Sequence, residues 1–96
     1  MINSIADKLT QDVFDGVNSK AARRFPPELN RKARHKLDLL NAAGHLNDLR
    51  VPPGNQLEAL KGDLKGYFSI RINDQWRVIF KWIENNAEEV RIVDYH

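Results

Sequence analysis

Ninety-six residues with 42% hydrophobic and 29% charged side chains describe a single soluble domain, 1–96, with room for one modest core. The absence of cysteine excludes a disulfide framework or a thiolate metal site and suits a reducing cytoplasm. The opening "MINSIADKLTQD" lacks the basic head and apolar stretch of a secretory signal, and no apolar run approaches the roughly 20 residues of a membrane span, so a cytoplasmic protein without a membrane partner is expected.

The net charge of +2 conceals a block pattern. Residues 20–36 carry seven positive charges against Glu28 alone, and residues 61–82 carry five against Asp63 and Asp74. Acidic residues gather in 1–19 and 83–96. Separation of this kind marks either a polyanion-binding surface or an ordinary solvated basic face.

In chain order, "INSI" reads as a short strand and "DKLTQDVFDG" as a helix. Leu9, Val13 and Phe14 fall at helical spacing, and Gly16 is its stop. A second helix is expected in "PPELNRKARHKLDLLNAAG", with Pro26 and Pro27 at its start and Gly44 at its end. Leu29, Ala33, Leu37 and Leu40 form its apolar stripe, and Arg31, Lys32, Arg34 and His35 cover the rest. "VPPGN" predicts a type II turn, with Pro53 presetting its angle and Gly54 taking the positive φ.

Beyond that turn the period changes from 3.6 to 2. Phe68, Ile70 and Ile72 alternate with polar residues, as do Trp76, Val78 and Phe80, and then Val90 and Ile92. Helices followed by a strand meander predict an α+β fold: two N-terminal helices packed on one face of a small, mainly antiparallel sheet. Strand register sharpens the reading, because paired apolar residues must share a face. A loop of Asn73, Asp74 and Gln75 sets Ile70 opposite Val78 and therefore Arg71 opposite Arg77 on the other face. Facing like charges repel, so the two guanidiniums either splay into water or bracket an anion. Trp76, Phe80 and Trp82 belong to the core by the same alternation, and His35 and His45 read as structural or exposed.

The combination of "LRVPPGN", "LKG", "GYFSIR", "QWRVIF" and the closing "DYH" resembles the HigB-type toxins of the RelE/ParE superfamily of bacterial toxin–antitoxin systems. The resemblance runs from Leu49 to His96; upstream only the order of elements agrees. It implies a RelE-like fold and a ribosome-dependent endoribonuclease that cuts mRNA during translation and arrests growth. It also implies neutralisation by a cognate antitoxin with a DNA-binding domain. Matched motif by motif, the site residues are Lys61 in "LKG", Arg77 in "QWR", and Asp94, Tyr95 and His96 in "DYH". Some relatives carry a histidine where this chain has Glu58.

Cleavage of this kind has the ribose 2′-OH attack the adjacent phosphate. It needs a base for the 2′ proton, cations for the developing charge and an acid for the 5′ oxygen. An unperturbed histidine titrates near neutrality, so His96 is suited by its type to proton transfer. Asp94 is a candidate to orient His96 or to act as the base, and Glu58 is the other candidate base. Arg77 and Lys61 would stabilise the phosphorane, and Tyr95 would stack on an unpaired nucleobase. Arg71 and Lys65 are expected to bind RNA beside them, and Arg31, Lys32 and Arg34 to hold ribosomal RNA backbone. No metal ligand set or phosphate-cradling glycine loop is evident, so metal-free chemistry without a cofactor is expected. Two other classes compete: a ParE-like toxin that inhibits DNA gyrase by contact, and a basic nucleic-acid-binding accessory protein. The acid-phenol-imidazole group argues against the first, since binding alone does not require it.

Overall fold

The computed structural model describes residues 1–95. Two helices, α1 (Lys8–Asp15) and α2 (Asn30–Ala42), precede four strands: β1 (Glu58–Ala59), β2 (Tyr67–Arg71), β3 (Trp76–Ile83) and β4 (Asn86–Asp94). The strands form one antiparallel sheet in sequence order, so the architecture is α+β.

Helix α1 begins where the Asp7 carboxylate accepts from the Thr10 amide, which satisfies one of the free N–H groups of the first turn. It ends at Gly16 (φ 72), whose left-handed backbone lets its own amide reach back to the last carbonyls. Asp12 is buried on this helix and accepts from Lys8 at 2.7 Å and from Ser19 at 2.6 Å. The Lys8 hydrogen bond, then that of Ser19, hold its carboxyl below the ordinary aspartate range. A depressed folded-state pKa means that the native state favours the carboxylate. This stabilisation is complete above the unfolded value near about pH 4 and is lost as pH falls through the folded one. Thermal melts between pH 5 and pH 2 should therefore show a falling midpoint, with a shallower slope in Asp12→Asn. An equal slope in both proteins would exclude the effect.

The expected second helix opens with a 3-10 turn, Pro27–Leu29, before α2 proper starts at Asn30. Ala33, Leu37 and Leu40 of α2 are fully buried, and they share one core with Val13 of α1, with Ile70, Val78, Phe80, Val90 and Ile92 of the sheet, and with Ile72 just past β2. Phe25 fills the space between, its ring edge-on to Trp76 at 5.1 Å. Trp76 and Trp82 pack against this core and Phe80 lies within it, in line with their alternation. The register pairs Ile70 with Val78 and Arg71 with Arg77, as the shared apolar face requires.

Two expectations are corrected. "INSI" is not a strand: Ile2 and Ile5 make two isolated parallel bridges to Ala87 and Val90. The cause lies in β4, where Glu89 takes φ 51 and adds one residue against β3 between the Ile79 and Lys81 pairings. Ala87 and Val90 stand three apart yet are both fully buried, which a period of two allows only across such a bulge. The N-terminal segment, followed by Thr10, whose hydroxyl accepts from the Ile92 amide at 2.8 Å, covers the outer edge of β4. Likewise "VPPGN" is no type II turn. Pro53–Asn55 form a 3-10 turn after a cis Val51–Pro52 bond, and Gln56, not Gly54, takes the left-handed backbone (φ 47). Buried Asn55 dictates this, because its amide donates to the carbonyls of Leu49 (3.1 Å) and Val51 (3.5 Å) and curls the chain around itself.

Among the described residues, no helix is long and apolar enough to cross a membrane.

Candidate active site

The face of the sheet opposite the core carries Glu58 on β1, Ser69 and Arg71 on β2, and Arg77 and Ile79 on β3, as the pairings Glu58–Ser69, Ser69–Ile79 and Arg71–Arg77 require. Beyond β4, the Tyr95 amide donates to the Gln75 carbonyl, which brings the phenol to the same end. Arg77 is the centre of the group. Its guanidinium donates to Ser69 Oγ at 3.3 Å and to Gln56 Oε1 at 3.4 Å, and stands 4.9 Å from the centroid of the Tyr95 ring. The Tyr95 hydroxyl in turn donates to Glu58 Oε1 at 3.3 Å. Ser69 is fully buried, whereas Gln56 and Glu58 are exposed.

A cavity of about 510 Å³ opens beside this group, lined by Glu58, Ala59, Leu60, Lys61 and Tyr95. Lys61 is exposed at its wall, in the loop between β1 and β2, where Gly62 takes a left-handed backbone (φ 64) to start the reversal. The cavity therefore has a carboxylate, an ammonium and a phenol on its lining, with a guanidinium behind the phenol. A phosphodiester placed here would meet the Lys61 ammonium and a carboxylate proton acceptor together, with the Arg77 guanidinium next to the Tyr95 ring at its edge; in-line attack by a hydroxyl requires groups of these kinds.

The other sequence-derived candidates divide between this cluster and separate places. Arg71 faces Arg77 in register, but the two splay: Arg71 pairs with Asp74 in the hairpin loop and Arg77 turns to Ser69, Gln56 and Tyr95. Lys65 is exposed in the loop that carries Lys61. Asp94 pairs in register with Trp76, on the opposite side of the strand alternation from Arg77, and is exposed at the end of β4. It accepts from Gln75 Nε2 at 3.1 Å. His96 lies outside the described residues. On α2, Arg31, Lys32 and Arg34 are exposed. Arg34 lines a different cavity of about 370 Å³ between the helices, together with Asn30, Arg23 and Phe25. His35 and His45 are exposed. Among the described residues, no group of three or more His, Cys, Asp or Glu is placed to hold a metal ion.

At the far end of the same face, Lys81 pairs with Glu89 at 2.9 Å and lies 5.2 Å from the Tyr67 centroid, while the Tyr67 hydroxyl donates to Glu89. The Lys81 hydrogen bond, then that of Tyr67, hold the Glu89 carboxyl below its ordinary value, and Glu89 raises that of Lys81. These charges satisfy one another and close that end. Two members of the Arg77 cluster were absent from the sequence-derived set. Ser69 was within reach, since alternation already placed it on the Arg71 face. Gln56 carried no signal, because its role follows from the left-handed backbone that Asn55 imposes.

Comparison with known proteins is consistent along the whole chain. The family described as the RelE-like toxin of the type II toxin–antitoxin system HigB matches residues 3–96. Toxin HigB-1 of Vibrio cholerae serotype O1 is 41% identical over 81 residues, 84% of this chain and 83% of that protein. Endoribonuclease HigB of Proteus vulgaris is 31% identical over 97 residues, covering 100% of both. Among solved structures, a mutant of YafQ from E. coli superposes with a TM-score of 0.65 at 18% identity, over 98% of this chain and 93% of that one. The toxin–antitoxin complex YoeB–YefM from Staphylococcus aureus gives 0.61 at 19% identity, over 100% and 98%. At such identities these structures speak for the fold.

Proposed function

This chain belongs to the HigB-like toxins, a RelE-like family of type II toxin–antitoxin systems, and on that premise we propose that it is an endoribonuclease that cuts mRNA on translating ribosomes, arrests growth and is neutralised by a cognate antitoxin carrying a DNA-binding domain. The observation that carries the reading is the Arg77 guanidinium, held by Ser69, Gln56 and Tyr95 beside a cavity lined by Glu58 and Lys61.

The reaction is metal-free transfer of the phosphodiester to the neighbouring 2′ oxygen. Glu58 is the base that takes the 2′ proton. It shares the working face with Arg77, whereas Asp94 stands on the other side of the strand alternation. Arg77 and Lys61 take up the charge of the phosphorane, and fixed cationic donors commonly supply the largest catalytic contribution. His96, next to Tyr95 in the chain, protonates the departing 5′ oxygen, and general acid–base assistance of this kind contributes about 10²–10⁴-fold. Tyr95 presents one ring face to Arg77, leaving the other to stack on a nucleobase. Arg71 and Lys65 hold the strand on either side, and Arg31, Lys32 and Arg34 bind ribosomal RNA through its phosphates, outside the chemistry.

Brief expression of the chain in growing cells, followed by mapping of transcript 5′ ends, tests the reading. New ends inside translated regions, suppressed by co-expression of the neighbouring gene product, are the expected result. Intact transcripts with accumulating cleaved DNA would overturn it in favour of gyrase inhibition.

A further inference from the structure

Lys36 is a buried cation that the proposed chemistry does not use. It is 7% exposed on α2, and no carboxylate pairs with it among the described residues. Its ammonium donates to Asn55 Oδ1 at 2.5 Å. Burial, reinforced by the neighbouring charges of Lys32 and Arg71, pushes its pKa below the ordinary lysine value. A buried charge without a counter-charge is costly to keep, so stability alone gives no reason for a lysine here. The geometry supplies another reason. Asn55 is 0% exposed and its amide nitrogen binds the carbonyls of Leu49 and Val51, so one side chain ties the helix to the loop that leads into β1. The next residue, Gln56, takes the left-handed backbone and accepts from Arg77; two further on, Glu58 accepts from Tyr95.

We infer that Lys36 and Asn55 are positioning residues: a buried Lys36–Asn55 brace between α2 and the 52–58 segment sets Gln56 and Glu58 against Arg77 and Tyr95. The role for the reaction rests on the endoribonuclease reading; the brace itself does not. Lys36 touches neither substrate nor reacting atoms and acts through Asn55 and Gln56. Of the three donors of its ammonium, one suffices for the tie, and the long unbranched stem carries it across the space between helix and loop.

The test uses the full chain in two measurements. In nitrogen-15 spectra without RNA, Lys36→Met is expected to shift or broaden the Arg77 Nε–H resonance, and Gln56→Ala, an exposed substitution that leaves the core intact, to move the same resonance. In cleavage assays, Lys36→Met is expected to lower kcat about tenfold with KM within about twofold, since small misplacements of positioned groups act on the chemical step. Lys36→Arg, which keeps a cationic donor, is expected to recover much of the loss. An Arg77 resonance unmoved by Gln56→Ala would overturn the proposal whether or not Lys36→Met folds. So would a Lys36→Met protein that cuts RNA at the wild-type rate. If the wild-type chain cuts no RNA, the endoribonuclease reading fails, and the Arg77 resonance still decides the brace.

Discussion

Arg77→Ala is expected to lower the rate of RNA cleavage about 100- to 1000-fold while leaving the domain folded, the loss typical of removing one preorganised donor to a developing anion. The guanidinium is fixed from three sides, by Ser69, Gln56 and the Tyr95 ring. These partners are neutral, so removing it strands no buried counter-charge. Ser69 is buried and loses one partner of its hydroxyl, a modest cost, and Gln56 is already exposed. Circular dichroism and the thermal midpoint should therefore stay near wild type. Arg77→Lys keeps the charge and loses the planar fork, so it should recover only part of the rate. The measurement is single-turnover cleavage of a translated message in a reconstituted system. An alanine variant that cuts within about fivefold of wild type would remove Arg77 from the chemistry.

The second large effect is on stability. Phe80→Ala should cost about 3–5 kcal/mol, because truncating a buried aromatic loses its transfer free energy and leaves a cavity. Phe80 is 0% exposed in the strand between β2 and β4, with Phe68 stacked at 6.1 Å and Trp82 edge-on at 6.3 Å. A domain of this size commonly has only about 5–15 kcal/mol in total, so a large part of its stability should go. The thermal midpoint should fall by about 12 °C or more. Ile83 offers a control on the same strand: it is 50% exposed, and Ile83→Ala should change stability by about 0.5 kcal/mol or less. Equal losses in the two variants would mean that β3 contributes through its backbone pairing and not through this core.

The two effects meet in β3, where successive residues face opposite ways. Val78 and Phe80 point into the core while Arg77 points out of it, so packing and chemistry are coupled through one register. That register was readable in the linear chain, because a slip of one residue would have turned every apolar side chain of β2 and β3 to the wrong face. The same alternation was enough to set Arg71 opposite Arg77. The apolar stripe of α2 and the stop at Gly16 were readable for a similar reason: each follows from a local rule, periodicity or left-handed backbone, that a stretch of chain obeys on its own.

Long-range contacts were not legible in this way. That Glu58 meets Tyr95, 37 positions away, depends on a two-residue strand too short to carry a periodic signal. The bulge at Glu89, across which Ala87 and Val90 are both buried, changed how "INSI" lies on β4. The side of the sheet on which Asp94 falls depended on whether pairing with β3 continued to the end of the strand, which it does at Trp76. The left-handed turn at Gln56 arose from the buried amide of Asn55, held in part by a lysine on a helix 19 residues earlier. Periodicity along one dimension reports which face a residue prefers. Which residues of different elements come within hydrogen-bonding reach is set by how those faces pack, and that selection happens only when the chain closes on itself.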